Sequence, residues 1–258
     1  MGVICFSLNS GSNGNCIYVE DEGEGLLFDA GISGKRTAER LALHGRDVRD
    51  VRAVIITHDH ADHIRCAGIL SRKFGLPVYM TRRTHQAGQR WCRLGRIADL
   101  RFFRPHQALR FGPLTVRTRP TPHDAAEPVA VTVSSCGRRV GILTDLGCVF
   151  DGLAGMIGSL DAAFLESNYD PDMLATGPYP QAVKRRIAGA GGHLSNAEAA
   201  ELVAAAGNGR LQWVALSHLS EVNNTAELAL TTFRRIAGRR WPAVVASRYG
   251  PGRVMEVH

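Results

Sequence analysis

Short apolar blocks separated by polar breaks dominate the first part of the chain. Gly2–Leu8, Asn15–Val19 and Gly25–Phe28 are rich in Val, Ile, Phe and Leu and read as β-strands. Between the first two, Asn9-Ser-Gly-Ser-Asn-Gly-Asn15 fits neither helix nor strand and reads as a loop. Thr37–His44 reads as a helix stopped by Gly45. Arg52-Ala-Val-Ile-Ile-Thr57 is a buried strand. Asp62–Phe74 then carries apolar residues at 64, 67, 70 and 74, the spacing of one helical face.

The middle of the chain predicts strands at Val78–Thr81, Leu100–Phe103, Ala108–Phe111, Leu114–Thr118, Pro128–Val133 and Arg139–Thr144, punctuated by Pro and Gly. Asp161–Glu166, Gln212–Ser217 and Ala243–Ser247 are further apolar runs. Ser195-x-x-Glu198 is a capping box opening a helix over Ala199–Ala206 that stops at Gly207. Asn224-x-x-Glu227 opens a second, Ala226–Ala237, closed by Gly238. No repeat, low-complexity tract or linker interrupts the pattern. The expectation is one α/β domain over residues 1–258, built of packed sheets covered by helices.

At 258 residues and 45% hydrophobic, the chain has enough apolar material for a core. No run approaches the ~20 apolar residues of a membrane span, and the N-terminus lacks the basic segment of a signal peptide. A cytoplasmic protein is expected. Six scattered cysteines without a CxxC pair read as reduced core residues. The net charge is +7, with 28 Arg against 3 Lys. That excess suits a polyanionic partner such as nucleic acid, or equally a solvated arginine surface. Lys184-Arg-Arg186 and the arginines at 82, 83, 90, 93 and 96 are candidates for phosphate contacts, with a solvated helix face the simpler reading of each.

The chemistry concentrates in Thr57-His58-Asp59-His60-Ala61-Asp62-His63, directly after a buried strand. Imidazole and carboxylate are ligands for zinc, iron or manganese. His58 and His60, two apart on an extended turn, can face one metal, while Asp62 and His63, entering a helix, face a neighbouring position. A pair of metals ~3.5–4 Å apart needs such a divided ligand set. Further ligands are required downstream, and His123, Asp145 and His218 each follow an apolar run at the end of a strand.

In this order, these motifs resemble the metallo-β-lactamase superfamily of hydrolases over nearly the whole chain, from Phe6 to about Ser247. The resemblance implies an αββα sandwich with a dinuclear site at one sheet edge. It implies that His58, His60 and His123 hold one divalent metal, that Asp62, His63 and His218 hold the other, and that Asp145 bridges them. Asp29, in Phe28-Asp-Ala-Gly, would support the histidine loop without ligating. Asp145 stands where antibiotic-hydrolysing members typically carry Cys, which disfavours lactamase activity. The 72 residues between Asp145 and His218 leave no room for the large inserted cap of the RNA-processing nucleases.

Ser10-Gly-Ser-Asn-Gly-Asn15, Leu165-Glu-Ser-Asn-Tyr-Asp170, Gly177-Pro-Tyr-Pro180, Gly192-His-Leu-Ser-Asn196, Ser217-His-Leu-Ser220 and Asn223-Asn-Thr225 resemble the WalJ/YycJ-type subfamily, regarded as metal-dependent nucleases acting on DNA ends. Tyr169 departs from the His common there. The implied activity is that of a phosphodiesterase, an exonuclease on DNA, using a hydroxide held between two metals. Asp62 and Asp145 would orient it, and His193 would serve as general acid or, alternatively, as a structural histidine. Ser10, Ser12, Asn15, Asn168, Tyr169, Ser195 and Asn196 are candidate substrate contacts. The Ser10–Asn15 loop could receive a phosphate or be a tight turn. Alternatives are a thioesterase of the glyoxalase-II kind, a hydrolase of small or cyclic phosphodiesters, and a metal-bound interaction module without turnover.

Overall fold

A computed structural model describes residues 2–258 of the chain. In chain order, β1 (Val3–Asn9), β2 (Cys16–Asp21), β3 (Glu24–Phe28), β4 (Val51–Ile55), β5 (Val78–Met80) and β6 (Leu100–Phe102) form a first sheet. β7 (Ala108–Phe111), β8 (Leu114–Pro120), β9 (Val129–Ser135), β10 (Arg138–Leu143), β11 (Ala162–Glu166), β12 (Trp213–Ser217) and β13 (Ala243–Val245) form a second. β14 (Met255–Val257) returns to the edge of the first, antiparallel to β1. Each sheet is mixed: hairpins at one end, parallel strands from β3 to β6 and from β10 to β13.

The helices are α1 (Gly34–Ala42), α2 (Ala61–Ile64), α3 (Ala67–Phe74), α4 (Arg82–Cys92), α5 (Leu153–Ile157), α6 (Pro171–Thr176), α7 (Gln181–Ala188), α8 (Asn196–Ala206) and α9 (Ala226–Ile236). Among the described residues none is long and apolar enough to cross a membrane. One core lies between the sheets, where Val19, Leu26 and Phe28 meet Val116, Val131 and Phe164. A second packs the outer face of the first sheet on α1 and α3 through Leu41 and Leu70. A third packs the second sheet on α5, α8 and α9 through Ile157, Val203 and Phe233. The expected αββα sandwich is therefore present, and apolar burial on both sheet faces explains why β11 and β12 are buried end to end.

Several local expectations are corrected. The helix read over Asp62–Phe74 is two helices, because the Arg65 side chain and the Cys66 N–H both turn to the backbone after Asp29: Arg65 Nε donates to Gly31 O at 2.7 Å and Cys66 N to Ala30 O at 2.9 Å. α4 escaped the reading because it buries only Thr84 and Gly88 and so carries no apolar stripe. The cap of α9 is Thr225, whose hydroxyl accepts the Leu228 N–H; Asn224 is buried instead and donates to Ser167 O and Asn168 O. Cys5, Cys16 and Cys66 are core residues, but Cys136 is exposed. It shares a two-residue hairpin turn with Gly137, both at positive φ, which directs its side chain to solvent.

The crossing of the first loop with the histidine loop is tight. Asn15 N–H donates to Asp62 O at 2.7 Å, and Gly31 N–H donates to Asn15 O at 2.9 Å. A Cβ on Gly31 would collide with the Asp62 carbonyl and the Asn15 amide, both backbone groups. Gly31→Ala is therefore expected to cost about 1–3 kcal/mol or more, a fall in Tm of roughly 3–10 °C, in a thermal melt. An unchanged melt would show that the crossing is not constrained.

Candidate metal centre

The candidate residues gather where β3, β4, β8, β10, β11 and β12 end. Three of them share an unusual backbone: Asp29, Asp145 and His218 have φ of 66°, 57° and 58°. The left-handed region costs of order 1 kcal/mol or more for a residue with a Cβ, and Asp and His are among the types that tolerate it. Each turns the chain sharply just beyond a strand. The two sheets are tied at this edge by the Val129 N–H, which donates to Thr57 O at 3.2 Å.

Hydrogen bonds fix which nitrogen each ring turns inward. Asp29 is buried; its Oδ1 accepts the Thr57 N–H at 2.8 Å, and its Oδ2 lies 2.7 Å from His63 Nδ1. His63 therefore presents Nε2 to the centre. The Thr57 hydroxyl donates to Asp29 and so accepts from His58 Nδ1 at 3.0 Å. His58 Nε2 is left buried without a partner. His123 donates Nδ1 to Gly192 O at 2.8 Å, placing Nε2 3.2 Å from His60 Nδ1 and 3.5 Å from Asp145 Oδ1. His218 is held by its backbone, with its N–H on Ser10 Oγ at 2.8 Å and its carbonyl on Asn168 Nδ2 at 2.7 Å. Its Nε2 lies 3.3 Å from Asp62 Oδ2.

The result is a continuous cluster. His58, His60 and His123 form one group of candidate ligands; Asp62, His63 and His218 form another; Asp145 lies beside both, grouped with His58 and His63. Within each group the donor atoms lie within 4.8 Å of one another, so these residues can bind metal ions. Asp145 Oδ2, 3.1 Å from His63 Nε2 yet outside hydrogen-bond geometry, is a second buried atom without a partner. The unpartnered lone pairs of His58 Nε2 and Asp145 Oδ2 lie in one group of candidate ligands, an arrangement that fits a cation.

Without metal, charge is balanced by protons. Burial works against charge at His58, Asp62, His63, Asp145 and His218. It pushes His58 well below the ordinary histidine range, with the nearby His63 adding to the effect. At His63 burial is outweighed by Asp145, Asp29 and Asp62, which hold the ring well above that range. At His218 burial is outweighed by Asp145, Asp62 and Glu166, which raise it to about 10. Burial likewise opposes the charge of Asp62 and Asp145, but the two histidines keep both carboxylates well below their usual range.

The remaining candidates divide. Asn15 points into the cluster, Nδ2 lying 3.2 Å from Asp62 Oδ2 and 2.9 Å from His63 Nε2. His193 sits at the rim, 18% exposed, with Nδ1 2.8 Å from Glu166 Oε1. Ser12 is exposed on the first loop. Asn168, Ser195 and Asn196 do not present themselves to a substrate: Asn168 braces His218, Ser195 caps α8, and Asn196 is bonded to Ser167 and Asn224. All three are buried. Tyr169 is also buried, and burial with Glu198 raises its phenol to about 12, so it stays a donor. Glu166 stands within Leu165-Glu-Ser-Asn-Tyr-Asp170, where the sequence pattern alone assigns it no role. It is fully buried and meets His193, His218 and the N–H groups of Leu146 and Leu194. A carboxylate ending the apolar run Ala162-Ala-Phe-Leu165 was the available signal.

The family model described as the metallo-beta-lactamase superfamily matches residues 10–162. The exodeoxyribonuclease YycJ of Bacillus anthracis is 35% identical over 260 residues, covering 100% of this chain and 95% of that protein. The exodeoxyribonuclease WalJ of Streptococcus pneumoniae is 36% identical over 227 residues, covering 87% of this chain and 84% of that one. The crystal structure of the metallo-beta-lactamase fold protein YhfI from Bacillus subtilis superposes with a TM-score of 0.76 at 18% identity, over 99% of this chain and 100% of that one.

Two outcomes are expected. A divalent cation must displace the protons held on His63 and His218, so its apparent affinity should rise with pH, by up to about tenfold per unit for each proton displaced. Calorimetry at pH about 7.5 in two buffers of different ionisation enthalpy would show the release; binding without it would refute the charge assignment. Asp29→Ala should weaken metal binding roughly 10–100-fold by freeing the His63 ring, measured by competition with a chromophoric chelator.

Proposed function

The chain belongs to the metallo-beta-lactamase superfamily, and we propose that it is a cytoplasmic, two-metal phosphodiesterase that removes nucleotides from DNA ends. Its full-length similarity to an exodeoxyribonuclease, together with the divided ligand cluster, carries this reading. In it, His58, His60 and His123 hold one ion, Asp62, His63 and His218 the other, and Asp145 lies between. Zinc, manganese and iron all suit this ligand set. When bound, such a pair acidifies water and offsets the charge that grows on the non-bridging phosphate oxygens.

The protein's own residues do the positioning. Asp62 and Asp145 accept hydrogen bonds from the attacking water and align it with phosphorus. Asn15 Nδ2, already directed at Asp62, keeps that carboxylate from rotating. His193 Nδ1 is committed to Glu166, which leaves Nε2 to deliver a proton to the departing oxygen, and its exposed edge allows reprotonation from solvent. Beside the loop bearing His123, a groove of about 510 Å³ is lined by Arg82, Arg83 and Arg104 together with Glu127, a suitable track for a phosphate backbone.

With Mn²⁺, purified protein should shorten an end-labelled DNA duplex stepwise, and Asp145→Ala should lose at least about a hundredfold in rate, the equivalent of roughly 3 kcal/mol of barrier. Intact DNA in the presence of bound metal would overturn the nuclease reading. Glu166→Gln should lower kcat about 10–100-fold through His193 and His218 while leaving KM close to wild type.

A further inference from the structure

The outer face of the second sheet is only partly covered. α5, α8 and α9 pack on it through Ile157, Val203 and Phe233. The outer residues of β7, β8 and β9 instead line a groove of about 690 Å³, together with Met156 and Ser159 at the end of α5.

Alternation along the strands decides what this groove contains. Leu109, Leu114, Val116, Val131 and Val133 enter the core between the sheets, which sends their strand neighbours outward. Register then sets those neighbours in rows. Arg110, Thr115, Ser134 and Arg139 stand side by side across four strands. Two residues further along, Arg117 stands beside Thr132, and beyond it Arg119 stands beside Ala130.

Four arginines and His106 line the groove, and no Asp or Glu does. Seven other arginines of the chain are paired with carboxylates, but among the described residues none of these four is. Asp161 accepts the Arg139 backbone N–H, but its carboxylate is buried and paired with Arg210. Arg119 is steadied 6.0 Å from the Phe150 ring centre, and its Nη2 donates to Asp151 O at 2.9 Å. Arg110, Arg117 and Arg139 are exposed. Like charges gathered on one face repel one another, and a polyanion offsets them together. The hydroxyls between them suit phosphate oxygens.

The dimensions fit a nucleic-acid backbone. Adjacent strands lie about 4.8 Å apart and residues about 3.4 Å apart along them, so the face measures roughly 14 by 14 Å. That is the length of about four phosphates on one DNA strand. Arg119 is four residues before His123 and at most about 14 Å from it, so the groove starts near the metal centre. It also adjoins the groove of Arg82 and Arg83: His106 lines the one, and Arg104, Pro105 and Gln107 line the other.

We propose that this arginine face is a docking surface for the sugar–phosphate backbone of DNA, which it holds several nucleotides behind the end being cut. The position relative to the cut rests on the nuclease reading; the docking surface itself does not.

Anisotropy of a labelled duplex of about 16 base pairs, long enough to extend past the groove, tests the surface with a chelator present to prevent cleavage. The double variant Arg117→Ala, Arg139→Ala removes two exposed side chains, so its thermal melt should match wild type. It should bind at least tenfold more weakly and lose about 2 from the slope of log affinity against log salt concentration. Lys at both positions should restore most of that slope, because a point charge suffices for a phosphate. With metal, the alanine variant should show at least a tenfold higher KM for the duplex and an unchanged KM for a dinucleotide, which is too short to reach the groove. A variant that binds the duplex as wild type does would overturn the proposal, and DNA shortening by wild type would then leave the nuclease reading standing. An equal loss on the dinucleotide would trace the effect to the metal centre and overturn it too. Arginine-dependent binding by a protein that cleaves no DNA would keep the docking surface and discard the nuclease reading alone.

Discussion

Burial of an acid–base cluster is the constraint around which this structure is arranged. Six histidines and several carboxylates meet at one edge of the two sheets, most of them shielded from water. Their charges are tolerable there only as alternating pairs or around a cation. The protein commits the outer nitrogen of each of several rings to a fixed acceptor: Asp29 for His63, Thr57 for His58, Gly192 for His123. The inner lone pairs then converge because they have nowhere else to turn. Asp29, which never reaches the centre itself, holds Thr57 and His63 at once, so one carboxylate fixes much of the histidine loop.

The fold supplies the place. Parallel strands in both sheets end at the same edge, and left-handed residues at Asp29, Asp145 and His218 stop the chain there and present the side chain. The strain at these positions is offset by backbone bonds such as Asp29 N–H to Ile55 O and His218 N–H to Ser10 Oγ. The first loop contributes twice. Asn15 reaches Asp62 and His63, and Ser10 supports His218 from the opposite side.

Legibility followed the kind of interaction involved. Strands β1 to β13 were readable as short apolar runs, many of them bounded by Gly, Pro or Asn. α4 was not, since it packs through Gly88 against Ile64 and Leu94 and needs no apolar face. β14 was missed because three residues carry little pattern and the partner strand lies at the other end of the chain. Asn168, Ser195 and Asn196 looked like substrate contacts because polar residues near a motif suggest a surface. Their hydrogen bonds run inward, to a carbonyl, a helix cap and an amide pair, and sequence does not show direction.

By itself the sequence determined the residue types and the order of the candidate ligands, since imidazoles and carboxylates at strand ends must be written into the chain. It also determined the two-layered β-rich pattern, through apolar runs that need covering on both faces. Tertiary structure alone decided that Glu166 stands behind His193 and His218 and that Asn15 lies against Asp62. Each of these joins residues distant in the chain. What a polar group does depends on the partner that burial leaves within reach, and that partner is chosen by packing.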